Sequence, residues 1–303
     1  MAKVHDVTLC LLGCGNLGCA ILNGLLNAPS DKLPFTRFIA CVRSQRSEER
    51  LRERFPQHLN RLTISRGDNL NAIQESDVVI LGVDPADIQT TLTQPGLREA
   101  LTHEKLLISI AAGWTRQDLE QTLYGSNTTE ENKSNRALIM RTLPNIAAQV
   151  SESLTVIETP ADGPALPEPY LQITTSIFER IGRVVPIDPK LTNAATAVGG
   201  STPAFFAIIC DALIDAAVAV GVPRDMAHTM IVQSMQGTAT MLQDGMHPAL
   251  LKDQGTSPEG CTIGGLMVLE EAGVRGHVGR GLREAVTLAR LMGTTSHVND
   301  TRH

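Results

Sequence analysis

Residues 7–18 read Val7-Thr8-Leu9-Cys10-Leu11-Leu12-Gly13-Cys14-Gly15-Asn16-Leu17-Gly18. The first six form an apolar run of the kind a strand buried on both faces carries. The next six fit G-x-G-x-x-G, and a helical pattern continues from Leu17 through Leu26. Taken alone that glycine pattern is weak. Between a strand and a helix it has the context a dinucleotide-binding turn requires. The first glycine allows the tight turn. The second lets a pyrophosphate approach the backbone, and the third lets helix and strand pack closely.

Working outward, a second strand is expected at Arg37–Val42, followed by Arg43-Ser44-Gln45-Arg46. An NAD-preferring chain usually carries an acid here for the ribose 2′-hydroxyl. Two guanidinium groups and a hydroxyl instead suit a 2′-phosphate, hence NADPH. The competing reading is a solvated basic loop, since Arg50, Arg52 and Arg54 follow. Asp77–Val83 reads as another buried strand, ending at Asp84-Pro85. Asp68-Asn69 precedes it, in a loop expected near the adenine ribose. Leu106–Ile110 is the next strand, closed by Ala111-Ala112-Gly113, whose small side chains let a ligand lie against backbone. Leu138–Arg141 and Thr155–Ile157 supply two more strands, and Gly125–Asn135 reads as a polar loop. The alternation predicts an α/β Rossmann-type, doubly wound parallel sheet with helices on both faces.

Composition changes near Val185-Pro186-Ile187-Asp188-Pro189. After it only helices are expected, near 191–198, 203–220, 223–243, 248–254, 262–271 and 276–292. The division is therefore a dinucleotide-binding domain over 1–187 and an all-helical dimerisation and substrate domain over 188–303. Residues 204–220 are apolar nearly all round, so that helix needs cover from its own domain or a second subunit. The polar tail from Gly293 is expected to be disordered.

The bulk composition bounds the function. The chain has 303 residues, 42% apolar, 19% charged and 3% aromatic, with net charge −6. There is no basic tract for nucleic acid or an anionic membrane, and few aromatics for base stacking. No membrane span is expected, because the run over 204–220 is short and interrupted by Asp211 and Asp215. The apolar run near the N-terminus leads into a glycine loop, which favours a first strand over a signal peptide. Six cysteines form no C-x-x-C pair or common zinc spacing, and eight histidines show no metal motif. They are read as buried thiols in a reducing compartment, which places the chain in the cytoplasm.

Near the other end stands Ser257-Pro258-Glu259-Gly260-Cys261-Thr262. Proline and glycine mark a loop delivering the chain to a helix start. Helix-start amides suit a carboxylate or phosphate. Thr262 adds a hydroxyl that both donates and accepts.

Beyond that loop, Val198-Gly199-Gly200-Ser201-Thr202-Pro203-Ala204, Asp211-Ala212-Leu213, Gly221-Val222-Pro223-Arg224, His247-Pro248 and Leu251-Lys252-Asp253 stand in order. With Ser257-Pro258 and Thr262-Ile263, this block closely resembles pyrroline-5-carboxylate reductase. The glycine loop, Asn69, Val83-x-Pro85 and Ala111-Ala112-Gly113 follow the same family in order, so the match spans nearly the whole chain. The resemblance implies reduction of Δ1-pyrroline-5-carboxylate to L-proline with NADPH, NADH being admitted. It also implies a helical domain that interlocks with a partner subunit, in dimers and often decamers. Carried over, Gly13, Gly15 and Gly18 with Asn16 and Leu17 hold the pyrophosphate. Asn69, Arg43, Ser44 and Arg46 match ribose and phosphate contacts, and Val83, Pro85 and Ala111–Gly113 line the nicotinamide side. Ser257, Gly260, Cys261 and Thr262 match the substrate loop, with Thr262 as the residue expected to act in the chemistry. Five positions depart from the family pattern. Asp84 replaces a lysine, Glu259 a small residue, Cys261 an Ala or Gly, and Asn145-Ile146-Ala147 an Asn-Thr-Pro. They raise the alternative of a relative specialised for a methyl-pyrroline or piperideine carboxylate; a non-catalytic NADPH-binding scaffold is carried as a separate alternative.

Overall fold

The computed structural model describes residues 7–29, 33–125, 135–159 and 166–292. The interior of the expected 125–135 loop and the tail from Gly293 lie outside these residues. Eight strands form one sheet in the order β3-β2-β1-β4-β5-β6-β7-β8. They are β1 (Val7–Leu12), β2 (Phe35–Val42), β3 (Leu62–Arg66), β4 (Val78–Leu81), β5 (Leu106–Ser109), β6 (Leu138–Pro144), β7 (Ser153–Glu158) and β8 (Gly182–Ile187). Every neighbouring pair is parallel except β6 with β7.

Side chains on a strand alternate between faces, and β1 uses both. Leu9 and Leu11 join one apolar core, with Ile21, Leu22 and Leu25 of helix α1 (Asn16–Leu26). Cys10 and Leu12 join a second core on the opposite face, with Val79, Leu81 and Leu107. Two-sided burial is why β1, β4 and β5 read as unbroken apolar runs. Each fully buried leucine contributes about 1.5–3 kcal/mol. The two strands not expected from sequence, β3 and β8, are the two edges of the sheet. β3 buries only Leu62 and β8 buries none of its residues fully, so neither carries the run of buried apolar positions that marks an interior strand.

Chain order reverses at β1, with β2 on one side and β4 on the other. In open α/β sheets that switch point opens a ligand crevice beyond the strands' carboxyl ends.

The chain divides into two compact units. Among the described residues the first runs to Gly200 and takes in 288–292. The second is Ser201–Thr287. The division therefore falls later than the composition change at 187. Helix Thr192–Gly200 belongs with the sheet because its groups bond to it. Asn145 Nδ2 donates to the Gly199 carbonyl at 2.8 Å, and Thr192 Oγ1 donates to Glu158 at 2.5 Å.

The second unit is helical, with Thr202–Ala219, Arg224–Gln243, Pro248–Gln254 and Cys261–Glu271. Pro203 and Pro248 sit in first turns, where a missing amide costs nothing. Helices Thr202–Ala219 and Arg224–Gln243 each bury a single residue, Ile214 and Ala227 respectively. Phe206, Ile208, Ile209, Leu213 and Val220 stand exposed. Within Pro189–Ala219 an 18-residue window has a mean hydropathy of 1.7, long and apolar enough to cross a membrane by those two measures. Asp215 on this run pairs with Arg224 at 2.7 Å.

Candidate functional site

The glycine loop leaves β1 at the switch point. Gly13 has φ +94°, and a Cβ there would lie 2.6 Å from the Val83 amide nitrogen. No other residue fits that turn. A Cβ at Gly18 would meet the Gly13 carbonyl at 2.9 Å, so this glycine brings α1 close to the strand. At Gly15 a Cβ would find nothing within 4 Å. The loop is pinned by its neighbours, with Cys14 N donating to Cys41 O and Gly82 N to Leu12 O, both at 2.9 Å. Gly15 caps α1, no side chain bonds the first amides, and the first turn carries no acid. Asn16 and Leu17 open that helix. Open space over Gly15 and an uncapped helix start fit a pyrophosphate.

At the end of β2, Arg43 is 84% exposed, and its Nη1 pairs with Asp87 at 2.6 Å. Ser44 caps α2 (Gln45–Arg54), its Oγ accepting from Ser47 N at 3.2 Å. Arg46 lines a surface hollow of about 550 Å³ with Ser47, Glu49, Arg50 and Glu53. Arg50 Nη2 donates to the Cys14 carbonyl at 3.4 Å and lies 4.0 Å from Cys19 Sγ. The Cys14 and Cys19 sulfurs are 3.8 Å apart. The hydrogen bond from Cys14, with the nearby charge of Arg50, pulls the Cys19 thiol down to about 7 against its burial. The Cys14 thiol is pushed up, by that same bond and by burial.

Beyond β4, Asp84 is committed locally. Its Oδ1 accepts from Ala86 N at 3.0 Å and caps the short turn Pro85–Asp87. Where the family carries a lysine, this chain thus builds a capped turn. Trp114 Nε1 donates to the Pro85 carbonyl at 3.0 Å, tying the loop after β5 to the turn after β4. The expected nicotinamide-side residues therefore fall on two linked loops: Val83 and Pro85 on one, Ala111, Ala112 and Gly113 on the other. Gly113 has φ +78°. Asn69 stands on helix α3 (Asn69–Gln74), which Asp68 caps, rather than in the expected loop. Its Nδ2 donates to Gln94 at 3.1 Å.

The second unit holds the other candidate residues. Gly260 N donates to the Ser257 carbonyl at 3.1 Å, closing a turn through Pro258 and Glu259. Glu259 has φ +59°, in the left-handed region. A Cβ at Gly260 would lie 2.5 Å from Ser257 Oγ, so a side chain here would displace that hydroxyl. Gly260 caps helix Cys261–Glu271, which begins one residue earlier than expected and has no acid in its first turn. Cys261 and Thr262 are both exposed in that first turn.

Reading the sequence missed Asp87, Trp114 and the buried Arg141–Glu158 pair. Trp114 carried a signal: the chain's single tryptophan directly follows Ala111-Ala112-Gly113. Asp87 and Glu158 carried none, because their partners are distant in sequence. Among the described residues no group of three His, Cys, Asp or Glu is placed to hold a metal ion.

Comparison with known proteins places these features. The family model for pyrroline-5-carboxylate reductase dimerisation matches residues 189–292. The model for NADP oxidoreductase, coenzyme F420-dependent, matches residues 8–113. A pyrroline-5-carboxylate reductase of Lophium arboricola is 43% identical, covering 98% of this chain and 97% of its own. One of Neurospora crassa is 37% identical over the same shares. The solved structure of a pyrroline-5-carboxylate reductase from Coxiella burnetii superimposes with a TM-score of 0.78 at 24% identity, covering 97% of this chain and 100% of that one. The apolar faces exposed on the second unit lie within the stretch matched by the dimerisation model. This chain belongs to the pyrroline-5-carboxylate reductase family.

Proposed function

We propose that this chain reduces the C=N bond of Δ1-pyrroline-5-carboxylate to L-proline with NADPH. One observation carries the cofactor half: an uncapped helix start behind a glycine turn that tolerates no side chain at Gly13. When bound, the nicotinamide supplies the hydride. The chain's own residues bind and orient. Amides at Gly15, Asn16 and Leu17 meet the pyrophosphate charge. Arg43 and Arg46 meet the 2′-phosphate, and Asn69 the adenosine ribose. Ser44 contributes through the helix it caps. The Trp114–Pro85 bond holds the loops bearing Val83 and Ala111–Gly113 in register. The amides that open helix Cys261–Glu271 receive the substrate carboxylate. Thr262 Oγ1 bonds the ring nitrogen and holds its proton. A protonated imine needs little acid catalysis, so positioning supplies most of the rate.

The dimer formed through the helical unit is the functional species, with decamers as its higher assembly. Six free thiols support a cytoplasmic setting. The division of labour is a dinucleotide unit followed by a dimerisation and substrate unit.

The test is a substrate panel of pyrroline-, methyl-pyrroline- and piperideine-carboxylates, with NADPH and NADH in parallel. The highest kcat/KM is expected for the unsubstituted five-membered ring with NADPH. A clear preference for a substituted or six-membered ring would replace the substrate assignment. Cofactor binding without turnover on any imine would make the chain a scaffold.

A further inference from the structure

The Arg43–Asp87 ion pair crosses the dinucleotide crevice. Arg43 directly follows β2, and Asp87 ends the short turn after β4. Between those strands lies β1, whose carboxyl end opens into the glycine loop. The 2.6 Å contact therefore joins the strands on either side of the loop.

Asp87 is presented for this role. It precedes helix Ile88–Leu92, where an aspartate would ordinarily cap, yet its side chain makes no cap bond. Its backbone is fixed instead: Asp87 N donates to the Asp84 carbonyl at 2.8 Å, and the next residue, Ile88, is fully buried. The turn is further held by the Asp84 cap and by Trp114.

We propose that Asp87 sets cofactor selectivity by competing with the 2′-phosphate of NADPH for the Arg43 guanidinium. This rests on the reading of Arg43 as a 2′-phosphate ligand. An arginine that binds a phosphate dianion must first leave its carboxylate partner. NADH, lacking that phosphate, leaves the pair intact. Asp87 is thus an internal rival that narrows the preference for NADPH.

The experiment measures dissociation constants of NADPH and NADH, by calorimetry and by quenching of Trp114 fluorescence. The proteins are the full chain, Asp87→Asn, Arg43→Ala and the double variant. Exposed ion pairs are weak, so Asp87→Asn should tighten NADPH about two- to fivefold while NADH changes less than about twofold. The gain should vanish in the Arg43→Ala background. Equal tightening of both cofactors, no tightening of NADPH, or a gain that survives without Arg43 would each overturn the proposal. If Arg43→Ala alone weakens both cofactors equally, the 2′-phosphate reading itself fails. If Arg43→Ala weakens only NADPH while Asp87→Asn is silent, that reading stands and the competition is refuted.

Discussion

Glu259 holds a backbone conformation that suits glycine, at φ +59° between Pro258 and Gly260. Left-handed geometry costs an L-residue about 1–2 kcal/mol, while glycine gives back about 0.4–1 kcal/mol through a freer unfolded chain. Glu259→Gly should therefore stabilise the protein by about 0.5–1 kcal/mol, read as a higher urea midpoint at constant slope. Lower stability would mean that the side chain earns its place by a contact. Three positions on, Thr262 offers a hydroxyl able to bond the imine nitrogen. Thr262→Ala should lower kcat about tenfold or more, the usual scale of a positioned proton donor, with little change in NADPH affinity. Unchanged turnover would remove Thr262 from the chemistry. These residues were legible because their types are unusual for their neighbours: small residues where a turn closes, a hydroxyl at a helix start. Asp84 was legible only as an oddity, and its cap on Ala86 N explains it.

Elements were legible in proportion to how completely they are buried. β1, β4 and β5 sit inside the sheet and carry continuous runs of buried residues, whereas the edge strands β3 and β8 do not. The packing of helix Thr192–Gly200 against the sheet was not legible for a different reason. Its attachment to the sheet is made by side chains far apart in sequence. Arg141 on β6 and Glu158 at the end of β7 form a buried ion pair, both side chains about nine-tenths or more buried. Thr192 Oγ1 donates to the same carboxylate and brings the helix in. Burial lowers the Arg141 pKa, and Glu158 offsets part of that. Removing the carboxylate strands a buried guanidinium. Glu158→Ala should therefore destabilise the protein by about 3–5 kcal/mol in denaturant titration, and adding Arg141→Met should restore most of that loss. A cost below about 1 kcal/mol for the single change would mean that water reaches the pair.

At the scale of the whole molecule, the second unit is an incomplete core. Its two longest helices expose Phe206, Ile208, Ile209, Leu213, Met230 and Val232. Exposed apolar surface of that extent marks an interaction face. The dimerisation model spans the same residues, which supports oligomerisation through this unit and makes a second copy of this chain the cover to test. The same helix meets the length and hydropathy requirements for a membrane span, so sequence hydropathy cannot separate the two roles. Association separates them. If the face is a subunit interface, the native unit is stabilised by mass action, and the melting midpoint should rise with protein concentration. Ile208, 73% exposed on one subunit, is the position at which to test this. Ile208→Glu places a charge in an apolar interface and leaves the internal packing of its own subunit untouched. By sedimentation in detergent-free buffer, the parent chain should run as a dimer or larger. The variant should run as a smaller species, with a lower melting midpoint that no longer depends strongly on concentration. A variant of unchanged mass and midpoint would move the interface off this helix. A parent chain that stays in solution only with detergent would instead favour a bilayer as the cover.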